Sequence, residues 1–217
     1  MKKRFEEILS FVKESECFAD VGCDHGKIAL SVLKSGKCKT VIASDISAES
    51  LKKVVKTADN EGIKGLIAIV SDGFESIPYA VDQAVIAGMG GEEICKILSA
   101  AKALPERLVL QPMKNAERVR RLVFSELGYA SVADRTFYDG EKFYDVIVCD
   151  RGAAVREYGE RDYRFGIDNL KGGADFVRYC SDLIATYEAA LKSVGSERAK
   201  NELTEKIDEL KEIVENL

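Results

Sequence analysis

The stretch that decides the fold is YASVADRTFYDGEKFYDVIVCD, which covers residues 129–150. Its two ends, residues 129–134 and 143–150, are rich in apolar, aromatic and β-branched side chains, a composition that predicts two strands. The link between them, residues 138–142, carries an Asp-Gly pair and has the composition of a turn. Because a link this short cannot hold a crossover helix, the two strands are predicted to pair in antiparallel fashion.

Upstream of residue 129, short apolar runs alternate with segments of helical periodicity. The crossovers between the runs are long enough for a helix, so the pattern predicts a mostly parallel sheet with both faces covered. Five such units closed by a β-hairpin form the topology of class I methyltransferases, whereas a dinucleotide-binding Rossmann domain carries a sixth parallel strand. We therefore predict an α/β fold of the class I methyltransferase (Rossmann-like) type with a seven-stranded sheet. The predicted strands are residues 18–21, 40–44, 66–70, 83–87 and 108–111, and the predicted helices are residues 27–33, 48–60, 92–101 and 116–126.

Beyond residue 150 the composition changes to a polar connection, residues 151–173, followed by two helical segments. Apolar residues recur in both segments at steps of three and four, and Gly195 lies between them, which predicts an antiparallel helical hairpin of coiled-coil type. We expect residues 1–152 to form the methyltransferase domain and residues 153–217 to form this helical extension. A packing or dimerising role without chemistry stays open for the extension. The two apolar stripes are Phe176, Cys180, Leu183, Tyr187 and Leu191, then Leu203, Ile207, Leu210, Val214 and Leu217.

The composition of the chain excludes several classes of protein. With 217 residues, of which 46% are hydrophobic and 32% charged, it has the proportions of a globular chain that buries a core. No run reaches the roughly 18 apolar residues of a membrane span, and the N-terminus lacks the apolar run of a signal peptide, so we expect a cytoplasmic protein without a membrane partner. Six well-separated cysteines and one histidine match no zinc pattern, so no metal is expected.

The first predicted strand ends in the motif Asp20-Val21-Gly22-Cys23-Asp24-His25-Gly26. A glycine at the carboxyl end of a strand lets the backbone approach a ligand in the crevice where open α/β sheets bind cofactors. The dinucleotide fingerprint G-x-G-x-x-G would place a glycine where Asp24 stands. Since a carboxylate beside a pyrophosphate is electrostatically unfavourable, the motif disfavours a dinucleotide ligand.

Carboxylates also follow the next two strands. Asp45 lies 23 residues after Gly22, close to the spacing of the acidic residue that accepts hydrogen bonds from ribose hydroxyls, and Asp72 follows the third strand. Three consecutive strand ends with carboxylates describe a pocket for an adenosine with a cationic tail, and S-adenosylmethionine fits that description. In this interpretation Asp20 or Asp24 faces the methionyl ammonium, Asp45 the ribose and Asp72 the adenine amino group.

The fourth predicted strand runs into Ala87-Gly88-Met89-Gly90-Gly91. Its glycines predict a backbone-lined opening at the point where such sheets bring cofactor and substrate together. The cofactor site predicted from all these strand ends consists of Asp20, Gly22, Cys23, Asp24, Gly26, Asp45, Ile46, Asp72, Gly73, Ala87, Gly88 and Met89.

The motifs D-V-G-C-D-H-G, S-D-I, S-D-G, A-G-M-G-G and L-Q-P-x-x-x-A-x-x-x-R occur in this order and at suitable spacing. Together they resemble the bacterial TrmK family, whose members are tRNA methyltransferases that modify N1 of adenine 22. The helical extension resembles the C-terminal coiled-coil region of that family. The sequence departs from the family's usual residues at Lys27-Ile28-Ala29 and at Met113. The resemblance implies S-adenosylmethionine as the cofactor and tRNA as the partner.

Adenine N1 already carries a lone pair, so methyl transfer to it needs no strong general base. We therefore expect catalysis to rest on positioning, with Asp24 and His25 orienting the base or receiving charge as the ring becomes cationic. The backbone of Gly88 and Met89 would shape the slot. Two alternatives stay open: a methyltransferase for a small molecule or a protein, and a non-catalytic RNA-binding module on the same fold.

An RNA partner needs local positive charge here, because the net charge of the chain is -5. Basic residues gather in residues 102–121, near the predicted substrate edge, and in residues 151–164, where tyrosines stand among the arginines. The last helical segment is acidic, so we expect it to serve packing or orientation, in a monomer or a weak homodimer. The predicted RNA-binding residues are Lys27, Lys114, Arg118, Arg120, Arg121, Arg161 and Arg164.

Overall fold

The computed structural model describes residues 3–78, 80–152 and 156–217, and its centre is one seven-stranded sheet. The strand order is β3-β2-β1-β4-β5-β7-β6, and only β7 runs antiparallel to the other strands. This order confirms the predicted α/β sheet with its closing hairpin. The strands are β1 (Ser15–Val21), β2 (Cys38–Asp45), β3 (Leu66–Val70), β4 (Gln83–Met89), β5 (Arg107–Pro112), β6 (Tyr129–Tyr138) and β7 (Phe143–Arg151).

Helices cover both faces of the sheet because successive residues of the central strands point to opposite sides. Phe18 and Val85 belong to one core cluster, whereas the adjacent Ala19 and Ile86 belong to the other. The first cluster is covered by the first three helices of the chain and the second by the fourth and fifth. The helices are α1 (Lys3–Ser10), α2 (Lys27–Ser35), α3 (Ala48–Asn60), α4 (Gly91–Ala100), α5 (Ala116–Arg121), α6 (Glu160–Phe165), α7 (Ala174–Leu191) and α8 (Glu197–Glu215).

The C-terminal helices form the predicted antiparallel hairpin. The end of α6, the start of α7 and the end of α8 share a small core of Phe165, Phe176, Cys180, Leu210 and Ile213. None of the described helices is long and apolar enough to cross a membrane. The predicted domain boundary, between residues 152 and 153, borders residues 153–155, which lie outside the described part of the chain, and it stays a prediction.

The connection before α7 is more ordered than the polar link predicted from its composition. It contains α6 and a 3-10 turn at Asn169–Lys171, and it covers the outer edge of β6. Side chains from this segment and from the start of α7 accept hydrogen bonds from alternate backbone N–H groups of β6, which protects an edge strand from pairing with other chains. The strand therefore continues to Tyr138, beyond the predicted end at residue 134. The pairs are Asp134 with Asp168 at 2.8 Å, Thr136 with Asn169 at 2.8 Å and Tyr138 with Asp175 at 3.0 Å.

A buried arginine joins α5 to this hairpin. The Arg120 side chain is 1% exposed; its Nε lies 2.8 and 3.0 Å from the two carboxylate oxygens of Asp134, and its Nη2 lies 2.9 Å from Asp145 Oδ1. Burial raises the pKa of Asp134 to about 6, and the charge of Arg120 opposes that rise. The prediction that Arg120 binds RNA is therefore wrong, because its guanidinium is enclosed and already paired with two carboxylates.

We predict that Arg120→Ala lowers the free energy of unfolding by about 3–5 kcal/mol, because removing one partner of a buried ion pair leaves the other charge uncompensated. Urea denaturation at pH 7.5 measures the change. Arg121→Ala is the matched control, since the neighbouring Arg121 pairs with Glu117 and Glu160 at the surface. Equal shifts for the two variants would contradict the structural role of Arg120.

Candidate active site

A cavity of about 1210 Å³ opens at the carboxyl ends of β1, β2 and β4. The parallel register places Asp20 opposite Ala43 of β2 and Val85 of β4, so the three strands end at one edge of the sheet. Eleven of the twelve predicted cofactor residues line this cavity, which brings together positions spread over 70 residues of the sequence. They are Asp20, Gly22, Cys23, Asp24, Asp45, Ile46, Asp72, Gly73, Ala87, Gly88 and Met89.

The turn after β1 has a left-handed backbone. Gly22 has a φ of +71°, and the N–H groups of Gly22 and Cys23 both donate to the carbonyl oxygen of Ser44, at 2.8 and 2.9 Å. A Cβ atom on Gly22 would collide with the Cε atom of Met89. The turn therefore brings bare backbone to the cavity, as the motif predicted.

Gly26 is the predicted cofactor residue that does not line the cavity. It has a φ of +61° and immediately precedes α2, and a Cβ atom there would collide with the Val54 side chain of α3. The cofactor-binding prediction for Gly26 is therefore corrected: its missing side chain allows close packing between two helices. That packing holds the turn between β1 and α2 in place.

Asp45 joins the ends of β1 and β2. Its Oδ2 atom accepts a hydrogen bond from the Asp24 N–H at 2.9 Å, and its Oδ1 atom accepts one from the Ser47 N–H at 2.8 Å. Each carboxylate oxygen keeps a second acceptor position, which suits a pair of ribose hydroxyls. The next residue, Ile46, is 75% exposed and also lines the cavity. An aliphatic side chain held in water beside a ribose acceptor fits the apolar face of a base.

Asp20 lies at the floor of the cavity and is 3% exposed. Burial raises the pKa of its carboxyl to about 7; the N–H of Ala29, which donates to Asp20 Oδ2 at 3.0 Å, opposes the rise, and the charge of Asp45 adds to it. Burial likewise raises the pKa of the Cys23 thiol to about 12, so this group stays neutral. A buried carboxyl whose pKa is close to 7 ionises more readily when a cation binds beside it.

The predicted catalytic pair lies at the exposed rim of the same cavity. The side chains of Asp24 and His25 are 72% and 58% exposed, and Asp24 Oδ2 lies 3.6 Å from His25 Nε2. Asp72 also lines the cavity, but its Oδ2 lies 3.3 Å from Lys96 Nζ. An adenine amino group would therefore share the Asp72 carboxylate with a lysine.

The loops after β4 and β5 are fixed to each other by their backbones. The Gly91 N–H donates to the Lys114 carbonyl at 3.0 Å, and the Met113 N–H donates to the Met89 carbonyl at 2.8 Å. A Cβ atom on Gly91 would collide with the backbone after β5. Asn115 donates a further hydrogen bond to the Glu92 side chain. The slot at Gly88 and Met89 is therefore a rigid feature of two strand ends.

The residues of the main cavity that no motif marked include three from the N-terminal helix and the closing hairpin. Arg4 comes from α1, Asp139 from the hairpin turn and Tyr144 from β7. Arg4 reaches the cavity because α1 packs against α2 and β7, a tertiary contact that a local pattern does not reveal. No signal in the sequence could have found Arg4, since it differs from its basic neighbours only in its tertiary contacts.

The predicted RNA-binding residues fall into different places. Lys27 lines the main cavity, whereas Lys114, Arg118, Arg121, Arg164 and the wall residue Arg120, which is 1% exposed, line a second cavity of about 950 Å³, together with aromatic side chains. Arg121 pairs with Glu117 and Glu160, and Arg164 pairs with Glu209. Arg161 lies outside both cavities and pairs with Glu212 at 2.7 Å.

The chemistry of the main cavity fits S-adenosylmethionine better than a pyrophosphate cofactor. Its lining contains more carboxylates than cationic side chains, and two of the carboxylates, Asp20 and Asp45, lie at the ends of adjacent strands. The strand ends that carry these carboxylates attract a ligand with sulfonium and ammonium charges and repel one with a pyrophosphate. The sheet order, the glycine turn and this acidic cavity together define a class I methyltransferase.

The comparisons with known proteins agree with this class. The chain matches the family model of a methyltransferase domain over residues 1–147. A Mycoplasma pneumoniae protein assigned as a tRNA methyltransferase is 30% identical over 203 residues, which cover 88% of this chain and 92% of the relative. The chain therefore belongs to the methyltransferase-domain family.

Solved structures extend the likeness to the whole chain. A Streptococcus pneumoniae protein assigned as a tRNA (m1A22) methyltransferase has a TM-score of 0.90 at 27% identity, with 99% of each chain covered. The same protein has been solved in complex with S-adenosylmethionine. The B. subtilis tRNA methyltransferase TrmK shares the fold with a TM-score of 0.84 at 23% identity, over 99% of this chain and 98% of the other. The resemblance to the TrmK family is confirmed.

The raised pKa of Asp20 makes a prediction about stability. The folded protein keeps the Asp20 proton up to about pH 7, whereas the unfolded chain loses it near pH 4, so ionisation of Asp20 lowers stability as the pH rises between these values. Asp20→Asn removes this loss and should raise the free energy of unfolding at pH 8 by about 1–3 kcal/mol.

Urea denaturation at pH 8 and at pH 5 measures the effect, and we expect a smaller gain at pH 5. Asp72→Asn is the control, because that side chain is half exposed and pairs with Lys96. A variant at Asp20 that is less stable than the wild type at pH 8 would contradict the buried, uncompensated carboxyl.

Proposed function

We propose that this protein transfers a methyl group from S-adenosylmethionine to N1 of an adenine in tRNA, at position 22. The observation that carries the proposal is the row of carboxylates at consecutive strand ends, beside a turn whose backbone is bare of side chains. The assigned activities of the Mycoplasma and Streptococcus relatives support tRNA as the substrate. Since tRNA is the acceptor, we place the enzyme in the cytoplasm.

The residues of the main cavity would hold the cofactor along the strand ends. Asp45 accepts the ribose hydroxyls, Ile46 packs on the adenine face and Asp72 meets the adenine amino group. Asp20 or Asp24 faces the methionyl ammonium. S-adenosylmethionine supplies, when bound, a methyl group on a sulfonium that is open to attack by a nucleophile. The acidic cavity favours binding of this cation through charge complementarity.

Catalysis in this proposal rests on orientation. The reacting nitrogen has a free lone pair, so no proton must leave before the attack, and alignment of the base accounts for most of the rate. The slot beside Gly88 and Met89 is rigid because of the backbone bonds between the loops after β4 and β5. Asp24 and His25, both exposed at the rim, orient the base, and the Asp24 carboxylate lowers the energy of the positive charge that forms on the ring.

The target nitrogen lies on the Watson–Crick edge, so a paired or stacked adenine must leave its stack to reach the slot. The second cavity begins next to this slot, since the Lys114 side chain lies over Gly90. Lys114 and Arg118 have no carboxylate partner within 4.0 Å in the described part of the chain. We propose that these two residues contact phosphates beside the target, with Lys27 at the other rim.

The remaining predicted RNA contacts need an exchange of partners. Arg121, Arg161 and Arg164 form ion pairs with glutamates. A phosphate would replace the exposed Glu160 and Glu212 at small cost, whereas the Glu209 partner of Arg164 is half-buried. We further propose that residues 1–152 carry the methyltransferase chemistry and residues 153–217 help to place the tRNA. A monomer or a weak homodimer satisfies this arrangement.

The test is incubation of the purified protein with labelled S-adenosylmethionine and unmodified total tRNA, followed by nucleoside and position mapping. We expect 1-methyladenosine at position 22. His25→Ala should slow the single-turnover rate about tenfold to a hundredfold, the range for loss of one orienting group, with the modified position unchanged.

An Asp45→Ala variant is the control for cofactor dependence, and we expect it to lose transfer together with S-adenosylmethionine binding. Methylation of a small molecule or a protein with no label in tRNA would contradict the proposed substrate. Full single-turnover activity in His25→Ala would remove this residue from the catalytic set.

A further inference from the structure

Arg4 occupies a position that neither the motifs nor the predicted cofactor contacts explain. It belongs to the first turn of α1, and its backbone N–H donates to Asp139 Oδ2 at 3.2 Å, which ties the helix start to the β6–β7 turn. Its side chain extends into the main cavity beside Gly88; a Cβ atom on that glycine would lie 3.5 Å from the Arg4 Nη2. The guanidinium is therefore next to the methyl-transfer slot.

Two side chains hold this guanidinium in place. The Arg4 Cζ lies 5.4 Å from the centre of the Tyr144 ring, a distance at which a cation is attracted to the ring face. The Arg4 Nη1 lies 3.6 Å from the sulfur of Met113, which is a weak acceptor. Tyr144 in turn packs against Phe137, with ring centres 5.9 Å apart. These contacts orient the Arg4 guanidinium, and most of its N–H groups remain available to bind another group.

The absence of an acidic partner distinguishes Arg4 from its neighbours. Within the described residues, no carboxylate oxygen lies within 4.0 Å of the Arg4 guanidinium, whereas nearby Lys3 pairs with Asp175 and Arg135 pairs with Glu7. A guanidinium carries five N–H donors that match the oxygens of a phosphate. A partly enclosed guanidinium without a carboxylate is therefore a receptor for an anion from outside the chain.

The strand order places this receptor on the substrate side of the slot. The carboxylates assigned to the ribose and the adenine lie at the ends of β2 and β3, on one side of β4. Arg4 contacts Met113 after β5 and Tyr144 of β7, on the other side of β4. An anion at Arg4 thus approaches from the direction that is left free for the acceptor.

We propose that Arg4 binds a phosphate of the tRNA strand that carries the target adenine, and that Tyr144 and Met113 position its guanidinium. This inference rests on the proposed function and deepens it, because it names the group of the substrate that the N-terminal helix recognises. A phosphate held there fixes the nucleotide next to the slot, so that the base turns towards Gly88. The bond is a charge-assisted hydrogen bond, and its loss weakens both tRNA binding and alignment.

The experiment combines a protein change with a phosphate change. Single-turnover methyl transfer is measured with tRNA carrying one neutral methylphosphonate at a time at the phosphates around the target adenosine. We expect one position to slow the wild type about tenfold or more, and Arg4→Ala to slow transfer on unmodified tRNA by a similar factor. The same methylphosphonate should then slow the single-turnover rate of Arg4→Ala by less than about twofold, because both changes remove the same contact.

Arg4→Lys and Arg135→Ala are the comparison variants. The lysine keeps the charge and should recover part of the rate and of the sensitivity to methylphosphonate. Arg135→Ala removes a nearby arginine that already has a carboxylate partner and should keep the wild-type response. Thermal unfolding of each variant shows whether α1 remains packed, and the methylphosphonate response of Arg4→Lys supports the inference even if Arg4→Ala unfolds.

The outcomes separate this inference from the proposed function. A wild type that methylates no tRNA overturns both. The Arg4 assignment alone is overturned if the wild type methylates tRNA but every methylphosphonate slows Arg4→Ala by the same factor as it slows the wild type. An increase of about tenfold or more in the dissociation constant for S-adenosylhomocysteine in Arg4→Ala also overturns it, because Arg4 would then hold the cofactor carboxylate.

Discussion

The hydrogen bonds of Asp45 are the interaction on which the rest of the site depends. One carboxylate oxygen holds the backbone N–H of Asp24 and the other holds that of Ser47, so the turn after β1 and the start of α3 share one anchor. The turn is left-handed at Gly22 and at Asp24, a conformation that a non-glycine residue such as Asp24 rarely adopts without support. With this anchor in place, bare backbone and three carboxylates face one cavity, and a cationic nucleoside becomes the ligand that the site suits.

The same row of carboxylates lowers the stability of the unliganded protein. Several carboxylates stand at one sheet edge, and no cationic side chain of the described residues pairs with the enclosed Asp20, whose pKa burial raises to about 7. At the β7–β6 end of the sheet, by contrast, the Arg120 guanidinium compensates the buried carboxylate of Asp134 and also pairs with the partly exposed Asp145. Asp20 therefore differs from Asp134 in that no cation of the described residues compensates it, and a cationic ligand in the cavity would do so.

Features that depend on local pattern could be predicted from the sequence. The alternating apolar runs, the short link before β7 and the aspartates after three strands led to the correct sheet and to eleven residues of the cavity. Features that depend on distant partners could not. Arg120 looks like a surface cation until Asp134 and Asp145 are seen around it, and Gly26 looks like a ligand contact until Val54 is seen against it. Arg4 gains its place only through the packing of α1 on the sheet.

The central claim is that the carboxylates at consecutive strand ends select a sulfonium nucleoside over a pyrophosphate carrier. Isothermal titration calorimetry of the purified wild-type protein tests it most directly, with S-adenosylmethionine, S-adenosylhomocysteine and NAD titrated separately under the same conditions. The account predicts saturable heat with one site for the first two ligands and none for NAD. Saturable binding of NAD together with no heat from either methionine derivative would contradict it.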